Sequence, residues 1–99
     1  SSDELFLSIA SLWELANKIA VGKLQLAPGW ARNLPAALAR DGVRLLQVHP
    51  DDCTQLADLP LRKNRDPFDR MLIAQAQALD VTLISNDKVF DDYAIRRLW

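Results

Sequence analysis

One cysteine, one histidine and three glycines are all that this 99-residue chain holds of those types, and each scarcity closes a class of function. Cys53 has no partner for an internal disulfide. With only His49 beside it, the usual four Cys/His ligands of a zinc site cannot be assembled, so a bound metal would need oxygen ligands. Gly22, Gly29 and Gly42 are too scattered for a Walker-type or dinucleotide-type glycine loop. No apolar run approaches the roughly 20 residues that cross a bilayer, and no basic-then-apolar leader opens the chain. The expectation is a soluble, cytoplasmic protein with no membrane contact. A net charge of -1 gives no overall attraction to nucleic acid, so such a partner would have to be held by a local basic patch.

What is present is a globular composition, 49% hydrophobic and 25% charged. Its length suits one domain over residues 1–99, with a radius of gyration of roughly 13 Å. Residues 5–9 read as a buried strand. From Leu12 the apolar positions Leu15, Ala16, Ile19 and Ala20 recur at helical spacing, opened by Ser11 and closed by Gly22. A second helix is expected from Asn33 as N-cap, with Pro35 in its first turn, to Gly42, after a turn at Pro28-Gly29. A strand over residues 43–48 and a short helix over residues 50–59 follow. Asp66-Pro67 opens a helix whose inward face is Phe68, Leu72, Ile73, Ala76 and Leu79. Residues 81–84 and 94–98 read as strands with a helical turn near residues 88–91 between them. Strands alternating with helices predict an α/β fold, a three-layer α/β/α arrangement with a mostly parallel sheet. In such sheets ligands gather beyond the carboxyl ends of the strands.

Three carboxylates stand out by position: Glu14 and Asp69, each in the first turn of a helix, and Asp87, directly after a strand. Acids brought together repel, and a cluster of them is stable at neutral pH only with a neutralising cation or with some of them protonated. Mg²⁺ or Mn²⁺ suits oxygen donors, and the natural reaction is metal-assisted phosphodiester hydrolysis. Each acid also has a plain structural reading. Ser11-Leu12-Trp13-Glu14 fits a capping box, Asp66 fits an N-cap with Asp69 at the positive end of the helix dipole, and Asp87 fits an ordinary turn after a strand.

Two stretches carry a resemblance. Ser11-Leu12-Trp13-Glu14-Leu15-Ala16-Asn17-Lys18, followed by Gly22-Lys23-Leu24, and Arg65-Asp66-Pro67-Phe68-Asp69-Arg70-Met71-Leu72-Ile73-Ala74-Gln75-Ala76 resemble segments of PIN domains of the VapC toxin type. Leu83-Ile84-Ser85-Asn86-Asp87 is similar to that family's strand end. The resemblance implies a Mg²⁺- or Mn²⁺-dependent endoribonuclease, the toxin half of a toxin–antitoxin pair. Glu14, Asp69 and Asp87 fall on the family's second, third and fourth acidic positions, and Asp66 is a secondary candidate. The family's first acidic position has no counterpart here. The chain therefore resembles a PIN-like domain truncated at its N-terminus, lacking the family's first strand and following helices, with a weakened metal site. The apolar surface so exposed leads to the expectation of a homodimer, with exchanged elements as one form of it, or of a cognate antitoxin as partner. The alternative is a non-catalytic interaction domain that oligomerises or binds an antitoxin without cleaving RNA.

The basic patch that RNA would need lies at Arg62, Lys63, Arg65 and Arg70, set against Asp66 and Asp69. A solvated loop and helix start would look the same. Trp13 and Trp30 read as core or interface anchors, His49 as a turn residue, and Cys53 as having no catalytic role.

Overall fold

A computed structural model describes residues 4–61 and 65–98, so the expectations for Arg62 and Lys63 lie outside the described residues. The chain divides into two compact units, Ser1–Gln47 and Val48–Trp99.

In the first unit, β1 (Leu5–Ser8) runs directly into α1 (Ile9–Ala20). The junction is made by Ser8, which is buried and accepts the Ala10 amide on its Oγ at 3.0 Å. Ser8, not Ser11, is therefore the N-cap, three residues before the expected one. Its other end follows expectation. Gly22, at φ 80°, takes the left-handed turn that lets its own amide reach Ile19 O at 3.1 Å and the Lys23 amide reach Lys18 O at 2.9 Å. After the Pro28-Gly29 turn, α2 (Trp30–Arg40) starts from Gly29 rather than Asn33, which puts Pro35 inside the helix. There its ring leaves the Ala31 carbonyl without the usual amide donor. β2 (Val43–Leu46) pairs in parallel with β1, with Leu5 opposite Val43 and Ser8 opposite Leu46. Parallel pairing needs a crossover, and α1 and α2 provide it. Leu5 and Phe6 are exposed, so β1 is not the buried strand expected, and Trp13 is 68% exposed rather than a core anchor. Arg44 covers part of the Phe6 ring, 5.9 Å from its centroid.

The second unit holds the larger core. α3 (Pro50–Ala57) opens at His49, whose amide donates to Asp52 Oδ2 at 2.8 Å, and it packs against α4 (Pro67–Leu79). Gln55 and Gln77 bridge the two helices at 2.7 Å. Leu59, Ile73, Ala74, Phe90 and Tyr93 form the buried cluster, with Leu56, Met71, Leu83, Val89 and Ile95 packed around it. Ile73 is fully buried, whereas Leu79, expected on the same face, is exposed. α4 ends at Asp80 in a left-handed conformation. β3 (Leu83–Ile84) and β4 (Arg97–Leu98) pair in parallel around a 3₁₀ turn, Lys88–Asp92. Both strands are shorter than the sequence suggested. The α/β class with parallel pairing holds, and the pairing takes the form of two ladders, β1–β2 and β3–β4.

Candidate metal centre

Asp66 and Asp69 flank the start of α4. Asp66 is extended, and its Oδ1 accepts the Phe68 amide at 2.8 Å and the Asp69 amide at 3.0 Å, which meets two of the donors that a helix start leaves open. Pro67 at the first helical position supplies the fixed φ that such a start favours. Asp69, half-buried, lies in the first turn, where the helix dipole favours negative charge. A carboxylate oxygen of Asp66 and one of Asp69 lie within 4.8 Å of each other. Two acids at that separation repel, and oxygen donors so placed suit a hard divalent cation.

Glu14 belongs to the first unit and lies half-buried in the second turn of α1, 3.7 Å from the Lys18 ammonium. Because Ser8 caps this helix, the capping-box explanation of Glu14 no longer applies. Asp87 is exposed and caps the 3₁₀ turn, its Oδ1 accepting the Val89 amide at 3.1 Å while its own amide donates to Ser85 Oγ at 3.1 Å. Among the described residues Asp87 does not join Asp66 and Asp69 in a common donor group.

Arg65 is exposed immediately before Asp66. Arg70, by contrast, is buried and donates to the carbonyls of Leu56, Leu59 and Pro60, so its expected place at an RNA phosphate is corrected to a contact with the end of α3. The signal for this was in the spacing, since Arg70 falls three and four residues before the buried Ile73 and Ala74. The Asp91–Arg97 pair also escaped the sequence reading. Arg97 grips both Asp91 oxygens, at 2.7 and 2.9 Å, and donates to Ser85 O at 2.9 Å. The guanidinium hydrogen bonds hold the Asp91 carboxyl below its ordinary value, and the same bonds raise Arg97.

A family model described as PIN domain matches residues 1–96. The chain belongs to the PIN-domain family. No match was found among curated proteins or among solved structures. PIN domains are generally a nuclease fold and typically bind divalent metals. The close Asp66–Asp69 pair is in keeping with that family character. Among the described residues no helix is long and apolar enough to cross a membrane.

Proposed function

We propose that this PIN domain is a divalent-metal-dependent endoribonuclease of the VapC toxin type, acting on RNA in the cytoplasm. Glu14, Asp69 and Asp87 are the metal-holding acids, and Asp66 is a secondary donor. The observation that carries the reading is the approach of Asp66 and Asp69 to within 4.8 Å at the start of a helix, in a PIN-domain chain.

The donor set fits Mg²⁺ or Mn²⁺, because it is made of carboxylate oxygen without sulfur or imidazole. A bound divalent ion would supply electrophilic polarisation of a phosphoryl oxygen. The residues of the chain do the rest. Asp66 fixes the first turn of α4 and so orients Asp69. Arg65, exposed beside these acids, offers a charge-assisted contact to an RNA phosphate. An antitoxin and a second copy of the chain are the proposed protein partners, supported by exposed apolar side chains such as Leu5, Leu26 and Trp13. One observation favours the non-catalytic reading: among the described residues Asp87 does not join Asp66 and Asp69 in a common donor group, which leaves the metal site leaning on the remaining acids.

Titration with Mn²⁺ and cleavage of a fluorogenic single-stranded RNA, each repeated on Asp69→Asn, decide between the two. Metal binding together with cleavage that the substitution abolishes is the expected result. Absence of both would leave only an interaction domain.

A further inference from the structure

Arg70 is 8% exposed, and among the described residues no carboxylate forms an ion pair with its guanidinium. Its partners are main-chain carbonyls. Nη1 donates to Pro60 O at 3.1 Å, and Nη2 donates to Leu56 O at 3.3 Å and Leu59 O at 3.2 Å. These carbonyls belong to the last turn of α3 and the residues just beyond it, where the helix dipole is negative and backbone acceptors lack intrahelical donors. Taking a guanidinium out of water is costly, so such a group persists only when its hydrogen bonds are well met.

The same residue is tied in the other direction. Its amide donates to Asp66 O at 3.0 Å, the bond that closes the first turn of α4. One side of that turn carries Asp66 and Asp69, whose like charges push them apart, and first turns of helices are where fraying begins.

We infer that Arg70 is a positioning residue for the Asp66–Asp69 pair. By fastening the first turn of α4 to the carbonyls of Leu56, Leu59 and Pro60, it keeps two mutually repelling carboxylates at a separation that a cation can bridge. The inference rests on the metal reading of that pair and extends it to a side chain that touches neither substrate nor ion.

The test uses the full chain with Arg70→Gln and Arg70→Lys, read by Mn²⁺ titration of folded protein and by amide hydrogen exchange in the absence of metal. For Arg70→Gln the Mn²⁺ dissociation constant should rise about tenfold or more, the scale on which lost supporting contacts act. The Phe68 and Asp69 amides should exchange faster by a similar factor, while the Ala10 amide, capped by Ser8, keeps its rate. Arg70→Lys, which keeps the charge with fewer donors, should fall between. A lower melting temperature with unchanged Mn²⁺ affinity and unchanged Phe68 and Asp69 exchange would overturn the inference. Should Arg70→Gln fail to fold, Arg70→Lys with native affinity and native exchange would overturn it equally. A native chain that binds no Mn²⁺ would instead remove the metal reading, and the exchange rates would then decide whether Arg70 holds the turn.

Discussion

The amide of Asp69 donates to Asp66 Oδ1 at 3.0 Å, so one acid of the candidate metal centre is held in place by the other. Asp66 thus has two separable properties, an acceptor for the helix start and a charge beside Asp69.

Substitution can take these properties apart. Asp66→Ala removes both amide bonds and should lower the unfolding free energy by about 1 kcal/mol in urea titrations. Asp66→Asn keeps an acceptor of similar capping strength and should stay within about 0.5 kcal/mol of the native chain. Both should weaken Mn²⁺ binding, because both remove the charge. Native metal affinity in Asp66→Asn would confine Asp66 to capping.

Glu14 poses the converse case. Among the described residues of the first unit its charged partner is Lys18, at 3.7 Å, and such i,i+4 pairs contribute about 0.3–0.5 kcal/mol. Glu14→Gln should therefore barely move the melting temperature while reducing RNA cleavage about 100-fold, as lost metal-site groups do. Cleavage at the native rate would return Glu14 to an ordinary surface residue.

The Asp91–Arg97 pair predicts an acid-sensitive contribution to stability. The carboxyl is held below its ordinary value of 3.8, so its stabilising effect is complete above that value and is lost as pH falls through the lower folded one. Arg97 is raised, so its share persists through neutral pH and disappears only in strong alkali. Urea unfolding followed from about pH 5 down to about pH 2 should show a slope that Asp91→Asn flattens. An equal slope in both proteins would locate the acid sensitivity elsewhere.

Much of this was legible from residue order, and the exceptions have physical reasons. Asp66-Pro67 announced its helix because an acceptor followed by a fixed φ has few other uses. The start of α1 was misplaced because Ser11 and Glu14 satisfy the capping-box spacing, whereas Ser8 wins by standing where the strand stops and the helix can begin without a loop. Leu79 matched the apolar period of α4 but lies at its last position, beyond the core beneath Ile73 and Ala74. Arg70 was counted with the cations of a basic patch, although its register with Ile73 already put it on the inward face. Counting charges records their number; only the helical period shows which way they point.

The C-terminal ladder has a practical consequence. β3 and β4 share only two residue pairs, Leu83 with Arg97 and Ile84 with Leu98, and the Arg97 side chain adds a brace to Ser85 O and Asp91. So short a ladder depends on one guanidinium as well as on its backbone bonds, which makes Arg97 the clasp that keeps β4 beside β3. Without that clasp, Leu83 and Ile84 would have only two backbone neighbours to hold them in register.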